Sequence, residues 1–299
     1  LEYANLGKTE LKVSRLGFGG AEIGQQKATQ ETVNELLNSA IDTGLNLVDT
    51  AAAYWKSEEM IGNAISNRRN EIVLISKCGA VDGFTRSDWS KKGILETIQK
   101  SLQLLQTDYL DIEQLHSCDA ETIKRGEVIE ALIVAKERGY IRYAGYSGDG
   151  EDAKAAIKTD FFDTLQTSVS IADQEAINLT IPLAREREMG IIAKRPIANA
   201  VWRNDAKPED SYHHEYWDRI QALQYDFLDK NMSESVATAL NFTLAIEGVD
   251  TAIVGTTKPG RWKENAEMLE KIDFREKDFR RIRERWQEIS ESKNWKGQV

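Results

Sequence analysis

Four side chains able to hold, give or steady a proton recur at one kind of place in this chain. Asp49 closes the apolar run LNLVD, Lys77 closes EIVLISK and His116 closes YLDIEQLH, while Tyr54 follows Asp49 by five positions. Each has an ordinary structural explanation alone: a capping carboxylate, a solvated amine, a hydrogen-bonded core imidazole, a packed ring. Neighbouring strands lie ~4.8 Å apart, so three successive strand ends fall within ~10 Å and can converge on one pocket. A free phenol has a pKa of ~10, a poor match for proton transfer at neutral pH. An ammonium ~4 Å away stabilises the phenolate by up to ~4 kcal/mol at an effective dielectric of about 20, enough to lower that pKa by up to ~3. Desolvation opposes the effect, so a smaller net lowering is expected. Asp49 would hold Lys77 charged, and His116 would orient a substrate oxygen. Such a set suits proton delivery to an oxygen, as in reducing a carbonyl to an alcohol, and then requires a hydride source, a nicotinamide cofactor.

Strand–helix units position these residues. VSRLGFGG leads into a segment where Val33, Leu36, Leu37, Ala40 and Ile41 share a helical face before Gly44. LNLVDT precedes a helix near Ser57–Ser66, and EIVLIS one near Ser90–Leu105 with Ile94, Ile98, Leu102 and Leu105 in register. YLDIEQLH precedes Glu121–Arg138, IRYAGYS precedes Asp152–Lys158, and FDTLQTSV precedes Gln174–Glu188. GIIAKRP leads into a long polar loop and helices to about Glu247, and DTAIVGTT opens a last unit near Arg261–Leu269. Eight such units without a Gly/Ser/Pro-rich linker favour one α/β domain over residues 1–299, a closed (β/α)8 TIM barrel rather than an open doubly wound sheet. LEYANLGKTELKV reads as a hairpin turning at Gly7-Lys8 that plugs the barrel bottom, and Phe279, Ile282, Trp286 and Ile289 mark an extra C-terminal helix on the wall.

The bulk numbers exclude other classes. A net charge of −10 repels phosphate backbones, so no nucleic-acid partner is expected. No apolar run reaches the ~18 residues of a membrane span. With 2 Cys among 299 residues and no charged-then-apolar opening at Leu1, the expectation is a cytoplasmic protein of a reducing compartment. Cys78 and Cys118 follow two of the reactive positions and read as plain loop residues rather than a redox switch. No G-x-G-x-x-G follows a strand, which argues against a Rossmann domain. VGTTKPGRWKENAEML offers another phosphate anchor, with Pro259 suited to a first helical turn and Lys258 and Arg261 flanking the helix N-terminus. A metal-dependent hydrolase would want several ligands at suitable spacing, and only His116 stands on a strand end.

The stretch LVDTAAAYWKSEEMIG resembles the D-T-A-x-x-Y-G-x-S-E signature of the aldo-keto reductases, and ISKCG, EQLHS, IRYAGYS, IIAKRPIA and IVGTTKPGRWKEN resemble its later blocks in the same order. The resemblance implies a (β/α)8 barrel binding NADP(H), sometimes NAD(H). It assigns the catalytic tetrad to Asp49, Tyr54, Lys77 and His116, with Tyr54 the general acid. It implies that Ser147 and Gln166 hold the nicotinamide carboxamide, with Gly20 and Ala21 beside the cofactor. Lys194, Arg195 and Gly255 fall in its cofactor-binding strand ends. Thr257, Lys258, Arg261, Glu264 and Asn265 match its adenosine-phosphate block, whose basic residues favour NADP(H) over NAD(H). Three positions depart from the pattern: Trp55 replaces a glycine, Gly148 an asparagine, and Lys194 an aromatic that stacks on nicotinamide.

Substrate choice should come from loops over the mouth. Trp55, Trp89 and Trp202, with Tyr212, His213, His214, Tyr216 and Trp217, supply rings with polar tips that suit a sugar-like or otherwise polar carbonyl, or an aromatic aldehyde. The competing reading is a redox-sensing regulatory subunit that binds NADP(H) and turns over slowly; it would keep the same tetrad. Oligomeric state is not legible.

Overall fold

The computed structural model describes residues 1–25 and 28–297. Eight parallel strands close into a barrel: β1 (Leu16–Gly19), β2 (Leu47–Asp49), β3 (Val73–Cys78), β4 (Leu110–His116), β5 (Ile141–Ser147), β6 (Thr164–Ser168), β7 (Gly190–Lys194) and β8 (Thr251–Val254). Each pairs with its neighbours in chain order, and β8 closes onto β1 through Ala252–Leu16, Ile253–Gly17 and Val254–Phe18. The closed barrel is therefore the architecture, and the open sheet is not.

Strand periodicity sorts the interior. Leu47, Val73, Ile75, Ile112, Ile192 and Ile253 point inward and form one apolar cluster with Leu6, Leu11 and Val13 of the N-terminal hairpin. That hairpin pairs Tyr3–Asn5 with Lys12–Ser14, turns at Gly7 with φ 53°, and seals the bottom as expected. A side chain at Gly7 would also strike the backbone of Gly190, at 2.2 Å. The alternate residues Phe18, Val48, Leu74, Leu115, Leu165 and Ala193 face outward into the larger core beneath the helices.

The expected faces hold: Val33, Leu36, Leu37, Ala40 and Ile41 are the buried set of Gln30–Asp42, and Ile94, Ile98, Leu102 and Leu105 are buried in Lys91–Leu105. Ser90 caps the latter, its side chain accepting from the Gly93 amide. Three expectations are corrected. The helix expected over Glu121–Arg138 is two, Ala120–Arg125 and Glu127–Glu137, because Gly126 adopts φ 86° between them. The helix expected over Gln174–Glu188 is also two, Glu175–Leu179 and Ile181–Glu186, the second opening with Pro182, which has no N–H to continue the first. Pro259 lies in a turn before the last unit's helix, which runs over Arg261–Lys271 after Gly260. The C-terminal helix spans Glu276–Lys293 and buries Ile282 and Trp286.

Helix Ser57–Ile65 packs so closely that a side chain at Gly62 would lie 2.2 Å from the Leu104 carbonyl and 2.8 Å from the Leu105 backbone. Gly→Ala inside a helix ordinarily stabilises by about 0.5–1 kcal/mol. Here Gly62→Ala should instead destabilise by about 1–3 kcal/mol through overpacking, read as a lower urea midpoint at unchanged m-value.

Candidate active site

Six strand-end residues of the mouth each stand two positions beyond an inward-facing residue of the same strand. Leu47 is followed by Asp49, Ile75 by Lys77, Gln114 by His116, Gly145 by Ser147, Thr164 by Gln166 and Ile192 by Lys194. The pleat thus lifts these side chains above the plugged interior, at the C-terminal ends of the strands.

The centre is a fully buried ion pair. Lys77 Nζ donates to Asp49 Oδ1 at 2.8 Å and Oδ2 at 2.7 Å, and to the Thr50 carbonyl at 2.8 Å. The Tyr54 hydroxyl is a further hydrogen-bonding neighbour of the same ammonium. From the opposite side of the barrel, Gln166 Nε2 also donates to Asp49 Oδ1, at 2.8 Å, and Ser147 Oγ donates to Gln166 Oε1 at 3.1 Å. Burial pulls the Lys77 ammonium down, but Asp49 and Tyr54 beside it leave it above its ordinary pKa.

Tyr54 lies over this pair, with Lys77 Nζ 4.9 Å from its ring centre. His116 meets the same ring edge-on, centres 5.5 Å apart at 81°. The expected lowering of the phenol is corrected: burial pushes Tyr54 above the ordinary tyrosine value, and the Lys77 charge offsets only part of that. Desolvation is the larger of the two opposing effects on the phenol, and the Lys77 charge the smaller. Burial, followed by the charges of Lys77, Lys194 and Arg195, holds His116 well below the usual histidine value. The imidazole is neutral, and its buried Nδ1 has no protein partner.

The other expected residues divide by place. Gly20 donates its amide to the Asp49 carbonyl at 2.7 Å, and Ala21 opens the short helix Ala21–Gln25. Lys194 does not lie free: its Nζ pairs with Asp149 Oδ2 at 2.8 Å. Arg195 takes φ 55° and donates to the Tyr212 hydroxyl at 2.8 Å and Ser168 Oγ at 3.0 Å. Beyond β8, Gly255 and Lys258 are exposed, Thr257 and Asn265 half-buried, and Arg261 pairs with Glu264 at 3.0 Å. The helix these open has no side-chain cap at Gly260, and its first amide, at Arg261, donates to the Lys258 carbonyl at 3.2 Å. Trp55 stands at the mouth, 57% exposed, whereas Trp89 covers Gly79 and packs with Trp202 against the helix-side core. Cys78 and Cys118 are buried free thiols; burial first, then nearby negative groups, pushes both up, Cys118 to about 12.

Two residues were missed. Phe84, at the tip of the hairpin joining Ala80–Val81 to Arg86–Ser87, stands 4.7 Å from the His116 ring and 6.5 Å from Tyr54. Asp82-Gly83 between two short runs was the available signal. Asp149, which fixes Lys194, sits just before helix Gly150–Lys158, where an acidic residue announces a helix start. Among the described residues no group of three His, Cys, Asp or Glu is placed to hold a metal ion, and no helix is long and apolar enough to cross a membrane.

Comparisons with known proteins agree with this geometry. The profile of the Aldo/keto reductase family matches residues 15–287. The chain is 32% identical over 278 residues to the uncharacterised oxidoreductase YqkF of Bacillus subtilis, covering 87% of this chain and 88% of that protein. It is 25% identical over 293 residues to L-galactose dehydrogenase of Arabidopsis thaliana, covering 91% and 89%. The solved holo structure of the aldo-keto reductase AKR11C1 from Bacillus halodurans superposes with a TM-score of 0.82 at 26% identity, over 95% of this chain and 96% of that one. With a barrel closed in chain order, a buried Asp–Lys pair under a tyrosine, and a family match across nearly its whole length, the chain belongs to the aldo/keto reductase family of oxidoreductases, which act on carbonyl and alcohol pairs.

Proposed function

We propose that this chain is an NADP(H)-dependent reductase of aldehydes or ketones, with Tyr54 as the proton donor. The observation that carries the reading is the Tyr54 ring beside both the Lys77 ammonium and the neutral His116 at one end of the barrel. Substrate oxygen would sit between the phenol and the imidazole, whose unpartnered Nδ1 leaves the tautomer free to put a proton on Nε2. A bound nicotinamide supplies the hydride to the carbonyl carbon. Tyr54 gives its proton to the oxygen, completing the alcohol, and Lys77 stabilises the phenolate left behind until solvent reprotonates it. Because burial raises the phenol, it keeps its proton throughout the neutral range, which suits a donor better than a base.

The residues present fit the cofactor. Ser147 and Gln166 keep spare hydrogen-bonding capacity: a hydroxyl lone pair, the second amide N–H and the second carbonyl lone pair. The positive N-terminal end of the helix Arg261–Lys271, with Lys258 and the Arg261 guanidinium, suits an anionic adenosine phosphate. Exposed Trp55 and Tyr212 at the mouth support a polar, sugar-like carbonyl, in keeping with the name of the plant dehydrogenase.

Tyr54→Phe should abolish most carbonyl-dependent NADPH oxidation, by about 10²–10⁴-fold, while leaving NADPH affinity nearly intact. An unchanged rate would remove the assignment. The rate should also stay level between about pH 6.5 and 10, since Tyr54 titrates above that window and His116 below it; a basic limb centred near pH 8 would show that another group delivers the proton. Arg261→Ala should weaken NADPH by at least about tenfold and NADH far less, measured by fluorescence titration; equal losses would refute recognition of the 2′-phosphate.

A further inference from the structure

Inside the barrel, one level below the site, lies a polar row that proton delivery does not use. Strand register sets it: Gln114 of β4 lies beside Gly145 of β5, and Gly145 beside Thr164 of β6. One pleat higher, the same register aligns His116, Ser147 and Gln166. One pleat lower, Ile112 pairs with Tyr143 and belongs to the apolar cluster of the plug. The row therefore separates an apolar floor from the reactive rim. Because Gly145 has no side chain, its two neighbours close over it. A Cβ there would lie 2.4 Å from Thr164 Oγ1 and 2.8 Å from Gln114 Cγ.

Gln114 and Thr164 are fully buried, yet neither the amide nitrogen and oxygen of Gln114 nor the Thr164 hydroxyl has a hydrogen-bond partner in the protein. Directly above Gln114, on the same face of β4, His116 Nδ1 is buried and unpartnered as well. Lys77, beside Gln114 on β3, turns its ammonium to Asp49 and Thr50 instead. Buried amides, hydroxyls and ring nitrogens are ordinarily bonded, to protein or to a held water. All of these groups are uncharged, which suits water and not an ion. We propose that water held inside the barrel by Gln114 and Thr164 donates to His116 Nδ1 and so fixes the imidazole with its proton on Nε2. Water whose oxygen accepts from the Gln114 amide and the Thr164 hydroxyl has only protons left to offer the ring. With Nδ1 accepting, the neutral imidazole presents an N–H to the mouth. Gln114 is then a positioning residue, which touches neither substrate nor cofactor and acts through the water and the ring. Its consequence for catalysis rests on the reading of His116 given above; the water and the tautomer do not.

The test is the tautomer of His116, read from side-chain nitrogen-15 correlation spectra of the free protein at about pH 8, where the ring is neutral. The chain has 3 His, so His213→Gln and His214→Gln complete the assignment. Wild type should show the Nε2–H form. Gln114→Met, which keeps the length of the side chain and removes its polar atoms, should populate the Nδ1–H form. It should also lower kcat at least about tenfold while leaving the KM for NADPH unchanged. Thr164→Val should act in the same direction, and Thr164→Ser should restore the wild-type spectrum. A wild-type ring protonated on Nδ1 overturns the proposal whether or not any variant folds, as does an unchanged tautomer in a folded Gln114→Met. A wild type with the Nε2–H form that oxidises no NADPH with any carbonyl would overturn the function proposed above and leave this inference standing, because the spectrum needs neither substrate nor cofactor.

Discussion

The contact between Lys77 and Asp49 is the constraint on which the site depends. Two opposite charges removed from water are costly unless each is fully bonded, and losing one partner of such a pair costs about 3–5 kcal/mol because the other is left bare. Here neither is left wanting: the ammonium donates to Asp49 and to the Thr50 carbonyl, and the carboxylate also accepts from Gln166. The pair fixes a positive charge beneath the Tyr54 ring. Its charge does not decide the state of that phenol, whose acidity is weakened by burial more than the nearby ammonium restores. The resting tyrosine is accordingly a firm holder of its proton, and release awaits an oxygen on which charge is growing.

Much of this was readable in the chain. Asp49, Lys77 and His116 each end an apolar strand run, and a period of two carries them from packed interior to open mouth. Helix faces such as Val33 to Ile41 came from a period of 3.6. What escaped were features set by single residues or by distant contacts. Gly126 breaks a helix whose apolar pattern runs on through it, and Pro182 does the same further along. The direction in which Tyr54 shifts depends on depth of burial, which sequence spacing does not encode. That Lys194 answers to Asp149 is a contact between two different strand–helix units, invisible to local pattern.

The loops over the mouth obey other rules than the barrel beneath. Trp55, Phe84, Arg195, Ala198, Asn199 and Ala200 all adopt positive φ without being glycine. Such conformations cost of order 1–3 kcal/mol each and persist only where surroundings impose them. They gather where β2, β3 and β7 hand over to their loops, around Tyr54 and Arg195. On the far side, Arg219 lies buried against Trp286 and Trp295, donates to the Ala172 carbonyl, and bonds the Lys296 carbonyl, so the C-terminal segment is packed into the wall of the same mouth. The rings that would meet a substrate are thus held by strained backbone and a distant clamp.

The bond from Gln166 to Asp49 joins β6 to β2, staves on opposite sides of the barrel. A hoop holds a cask from outside; this tie holds it from within, just below the rim. The closed strand ladder already sets the barrel's width, and this bond adds one further link across its rim. Any widening of substrate range in descendants of this chain must therefore be written in the rim's loops, while the floor on which the chemistry stands passes unaltered from one specificity to the next.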